Sequence, residues 1–187
     1  MRKLGLIGIV GSLVGCLAAV SGCGSISFDV GQDLPEQKVQ GATVNPLQGL
    51  LPFFPQSGVP ITVDLKAETA KRNTGPASHA YLKDLSLAAT PHNAPSGTFD
   101  FLDEVHVFVE SQNNGALPRV EIASVKPVPK GQATLQFQIV DGVDLLPYFK
   151  LQDMDPNKKA AITSTATGTQ PMKDISFDGH IDITIKI

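Results

Sequence analysis

The stretch that most constrains the fold is the last one in the chain. Ile175, Phe177, Gly179, Ile181, Ile183, Ile185 and Ile187 alternate with Ser176, Asp178, His180, Asp182, Thr184 and Lys186. A period of two puts every apolar side chain on one face of a strand and every polar one on the other. No segment sustains the 3.6-residue period of an amphipathic helix. The same alternation recurs at Val59, Ile61, Val63, Leu65 and Ala67, and at Tyr81, Leu85, Leu87 and Ala89. It returns at Phe99, Phe101, Val105, Val107 and Val109, in Val120-Glu121-Ile122, and in Leu135-Gln136-Phe137-Gln138-Ile139. Turn signals separate these runs: Asn73 to Pro76, Asn93 to Gly97, Asn113-Asn114-Gly115, and Pro127 to Gly131. About seven to nine short strands punctuated by Gly and Pro predict an all-β antiparallel sandwich, Ig-like or jelly-roll-like. Asp103 shares the apolar parity of its strand, and an inward carboxylate is costly, so a bulge is expected near Leu102-Asp103. Asp144-Leu145-Leu146-Pro147-Tyr148-Phe149 is too dense in bulky residues for a solvated loop, and predicts one short helical turn near 143–150 with Asp144 at its start.

The amino end follows a different logic. Met1-Arg2-Lys3 is basic, Leu4 to Ala19 carries no charge, and Val20-Ser21-Gly22-Cys23 closes the run with small residues. A spanning helix needs about 20 apolar residues, so a short run with basic residues before it and small ones after it fits a secretion signal. Small side chains are required where the extended backbone enters a peptidase cleft. On these residues the segment resembles the bacterial lipoprotein signal over positions 1–23. The resemblance implies diacylglyceryl alkylation of the Cys23 sulfur, removal of residues 1–22 and N-acylation of the new terminus. An ordinary secretory signal cleaved around Ala19 and Ser21 is the competing reading. Cys16 lies inside the apolar run and is the poorer lipid acceptor. Each buried methylene contributes about 0.8 kcal/mol, so two or three chains hold a protein on a bilayer where one does not. By resemblance to Gram-negative lipoprotein sorting, Gly24 in place of Asp implies the outer membrane. In a single-membrane bacterium the same signal leaves the domain outside the cytoplasmic membrane.

Removal of the first 22 of 187 residues leaves 165, with 13 basic side chains against 18 acidic, a formal charge of −5. That length makes one domain. An acidic chain without a Lys/Arg cluster argues against nucleic acid as a partner and against electrostatic binding to anionic lipid. No cysteine follows Cys23, which removes thiol catalysis, Cys-ligated zinc and disulfides from the mature chain. Residues 23–58 have the Pro/Gly composition of a lipid-anchored tether, interrupted by a short alternation at Ile26-Ser27-Phe28-Asp29-Val30; residues 59–187 are the expected sandwich.

Tests for chemistry are mostly negative. Asp153, Asp155 and Asn157 copy the first three oxygen ligands of an EF-hand loop, but Lys158 and Ser164 stand where the turn glycine and bidentate glutamate belong. They are a weak calcium candidate, against a solvated acidic turn. His79, His92, His106 and His180 show no close metal spacing; a meeting of His106 and His180 across adjacent strands, with Asp182, would be the one metal arrangement worth testing. There is no GxSxG nucleophile motif. Carboxylate pairs such as Asp100/Glu104 and Asp141/Asp144 are expected in any chain with 18 acids. The first reading is therefore a membrane-anchored envelope lipoprotein, not an enzyme. It carries no cofactor beyond its covalent lipid, displays a binding or assembly module, and has an envelope protein as partner. The second is a carrier or chaperone for an apolar ligand, with Phe53, Phe54, Leu145, Leu146, Tyr148 and Phe149 around a sandwich mouth. A carboxylate-based hydrolase comes third.

Overall fold

A computed structural model of the chain describes residues 26–42, 46, 48–54, 58–90, 97–111, 117–154 and 160–187, without the side chains of 151–154. The described residues form two antiparallel sheets and two short helices. In chain order they are β1 (Ser27–Val39), β2 (Gln48–Leu51), β3 (Val59–Pro60), α1 (Leu65–Lys71), β4 (His79–Ala89), β5 (Leu102–Ser111), β6 (Val120–Val125), β7 (Thr134–Gln136), β8 (Gln138–Ile139), α2 (Leu146–Met154), β9 (Ala160–Thr169) and β10 (Ile175–Lys186). One sheet has the order β1-β10-β4-β7; the other runs β2-β9-β5-β6-β8, with β3 also on β9.

The first and last strands lie side by side in the first sheet. Ser27 faces Lys186 and Val39 faces Ile175, so β1 follows β10 along its length. Ile181, Ile183 and Ile185 of β10 are buried, as their alternation requires, and Leu82, Leu85 and Leu87 of β4 join them. Val105, Val107 and Val109 of β5 with Ile162 and Ala166 of β9 supply the facing layer. One continuous apolar cluster fills the space between the sheets. The bulge expected at Leu102-Asp103 is present: the β5–β9 register shifts between Leu102 and Glu104, and the Asp103 side chain stands 71% exposed. Gly168 sits opposite the same irregularity with φ +159°, and a Cβ there would lie 2.1 Å from the Phe101 carbonyl oxygen.

Two parts of the sequence reading change. The segment expected as tether carries β1 and β2, each hydrogen-bonded into a sheet, so the sandwich extends back to Ser27. The alternation from Val59 to Ala67 is a strand only at Val59–Pro60; Leu65–Lys71 is helical. Local chemistry explains the switch. Asp64 accepts a hydrogen bond from the Ala67 N–H at 2.9 Å, and Leu65 and Thr69, four residues apart, turn to the buried side. Residues 112–116, with the Asn113-Asn114-Gly115 turn, lie outside the described residues.

As an edge strand, β1 would present unpaired backbone to other chains. It is broken by Pro35, where the register shifts between Leu34 and Gln37. The Gln32 side chain donates to the Pro60 carbonyl at 3.1 Å and accepts from the Thr62 N–H at 2.8 Å, tying the edge to the chain that enters α1.

Candidate functional site: the end of the sandwich at Ile26

Antiparallel pairing gathers the start of β1, the end of β10 and the start of β4 at one end of the first sheet. The Ile187 N–H donates to the Ile26 carbonyl at 2.9 Å, and the Ser78 N–H to the Lys186 carbonyl at 2.8 Å. Both helices lie at this end. Glu68 of α1 pairs with Lys71 at 2.6 Å and with Arg72, while the Arg72 guanidinium sits 4.2 Å over the Phe28 ring of β1. Those two cations hold the Glu68 carboxyl below its ordinary range, Lys71 first.

α2 is fixed by Asp144. One carboxylate oxygen accepts from the Ala80 and Leu146 N–H groups, both at 3.0 Å; the other meets His79 Nδ1 at 2.8 Å. Burial by itself pushes this carboxyl up, but the Ala80 N–H, then His79 and the Leu146 N–H outweigh it and leave it below the ordinary value. Tyr148 donates its hydroxyl to the Pro118 carbonyl at 2.6 Å, and burial raises its phenol. Between the helices lies a groove of about 410 Å³. Its floor is Leu65, Thr69, Ala77 and Leu146, with Pro76 beside them, and Lys66 and Lys150 stand exposed at its sides. The Thr69 hydroxyl donates to the Lys66 carbonyl at 3.1 Å, so the groove's one buried hydroxyl is already satisfied.

The six apolar residues expected around one mouth do not gather. Phe53 stacks on Phe177 at 4.4 Å and meets Phe99 edge-on at 6.4 Å; Phe54 lies 6.3 Å from Phe177. Both are in the core beside the start of β10, at the opposite end from α2. Leu145, Tyr148 and Phe149 anchor α2 into the core, and Leu146 alone of the six reaches the groove. The lipid acceptor Cys23 precedes the described residues. Asp155 and Asn157 also lie outside them, and Asp153 is on the last turn of α2. Among the described residues no cluster of His, Cys, Asp and Glu is arranged to hold a metal ion.

His106 and His180 do not meet: they occupy β5 and β10, in different sheets. His180 instead bridges Asp33 at 2.6 Å and Asp182 at 3.4 Å, which raise its pKa, Asp33 first, over the opposing effect of burial. His106 meets Glu121 at 3.0 Å. The groove lysines and the Asp33–His180 pair carry no sequence motif. Only the β1–β10 register, which sets Asp33 opposite His180, makes the second visible.

Comparison with protein-family models, with curated proteins and with solved structures finds no match for this chain.

Proposed function

We propose that this chain is a lipid-anchored envelope protein whose β-sandwich serves as a non-catalytic binding or assembly module held close to the bilayer. The observation that carries the reading is the spacing between Cys23 and the fold. β1 opens at Ser27, four residues after the cysteine of Val20-Ser21-Gly22-Cys23. A chain spans at most about 3.5 Å per residue, so Ile26 stands within about 10 Å of an acylated Cys23. Such a leash leaves the domain little freedom to turn its Ile26 end away from the lipid. Among the described residues, no helix is long and apolar enough to cross a membrane.

Asp100 and Glu104, one of the carboxylate pairs considered for hydrolysis, are each held below the ordinary range, by the Gly131 N–H and by Lys126 respectively, which disfavours either of them as a general acid at neutral pH. The test is cell fractionation of the full chain beside Cys23→Ser. The native form is expected in the envelope membrane fraction, together with any envelope protein it captures. Equal distribution of the two forms would remove the reading.

A further inference from the structure

We infer that the groove between α1 and α2 takes the acyl chain of an anionic phospholipid, with the phosphate held between Lys66 and Lys150. The floor is apolar at Leu65, Ala77 and Leu146, the Thr69 hydroxyl being turned to the Lys66 carbonyl, and the groove's volume of about 410 Å³ falls within the span of small-ligand pockets, about 300–1,000 Å³. The walls end in two exposed ammonium groups, neither ion-paired with a described side chain. Other charges on α1 are engaged elsewhere: Asp64 on the Ala67 N–H, and Glu68 with Lys71 and Arg72. Although the chain as a whole is acidic, an apolar trough flanked by two lysines without an ion-pair partner among the described residues is locally complementary to a hydrocarbon chain that ends in a phosphate, because lysine binds phosphate as a compact three-donor charge. Position selects the source. Ala77, on the groove floor, adjoins Ser78, which is bonded to Lys186, next to the Ile187–Ile26 contact. The groove therefore opens at the end of the domain that the leash brings to the leaflet. This last step rests on the proposed anchor; the chemistry of the groove does not.

The probe is a lysophosphatidic acid with a photoactivatable diazirine in its acyl chain, applied to the full chain. The chain is carried on phosphatidylcholine vesicles if it is acylated and kept in plain buffer if it is not, so loss of the anchor leaves the groove under test. Labelled peptides should concentrate at residues 65–69, 76–77 and 146–150. The variant K66E/K150E should reduce labelling about ten-fold or more, and the lysophosphatidylcholine analogue should label as weakly. Ala77→Leu, which fills the floor and keeps both lysines, should reduce it as well; circular dichroism checks that each variant is folded. Labelling spread over the whole surface, undiminished in K66E/K150E, or equal with the choline analogue would overturn the proposal. So would full competition by glycerol 3-phosphate, which has the headgroup and no chain.

Discussion

Replacing Asp144 with alanine should loosen the end of the sandwich that carries the groove, by an amount the contacts allow one to work out. The carboxylate satisfies the N–H of Ala80, a residue with no exposed surface, and that of Leu146 at the start of α2. Leaving a buried N–H unpaired costs about 1–3 kcal/mol. Loss of a side-chain acceptor at a helix start costs about 1 kcal/mol. The His79 contact adds little, since the imidazole is 51% exposed and screened by water. The total is about 2–4 kcal/mol, a large share of the roughly 5–15 kcal/mol that stabilises a typical domain. At about 3 °C per kcal/mol for a chain of this size, Tm should fall by roughly 6–12 °C. Asp144→Asn keeps an oxygen acceptor and should lose about half as much. Urea unfolding followed by far-ultraviolet circular dichroism gives the equilibrium values. Tyrosine emission, in a chain without Trp and with only Tyr81 and Tyr148, reports on the region itself. An alanine variant within about 0.5 kcal/mol of the native chain, or an asparagine variant as damaged as the alanine one, would refute the reasoning.

Two further outcomes follow from other parts of the fold. Phe177 is fully buried against Phe53, Phe54 and Phe99, so Phe177→Ala should cost about 3–5 kcal/mol in urea unfolding, while Phe177→Leu, which leaves less of a void, should cost markedly less. Asp33, then Asp182, raise the pKa of His180, so protonation stabilises the folded state: the gain is complete below the unfolded histidine value of about 6.5 and disappears as pH rises through the higher folded value. The difference in urea midpoint between the native chain and His180→Gln should be largest near pH 5–6 and shrink in alkaline buffer; a constant gap would contradict the Asp33–His180–Asp182 contact.

What the sequence discloses depends on how local the determining physics is. The β10 alternation reads directly because each isoleucine's burial follows from parity alone. The Leu102-Asp103 bulge is legible for the same reason, since a charge at an inward position must be turned out. Leu65–Lys71 misleads because Leu65 and Ala67 continue the period of two that starts at Val59, whereas the pair that the helix buries is Leu65 and Thr69; the Asp64 cap and the Glu68–Lys71 and Glu68–Arg72 spacings were the signals for helix. Phe53 and Phe54 read from the sequence as apolar residues at a sandwich mouth, and only the long-range stack on Phe177 shows where they pack. The groove was not legible, because Leu65, Ala77 and Leu146 are brought together by sheet pairing across the whole chain, and Lys66 and Lys150 belong to no motif.

The most direct measurement of the anchoring claim is the mass of the amino-terminal peptide of the chain recovered from its own cell envelope. The account predicts a peptide that begins at Cys23 and carries a diacylglyceryl group on sulfur and an acyl chain on nitrogen. A peptide beginning at another residue, or Cys23 with a free thiol, would contradict it.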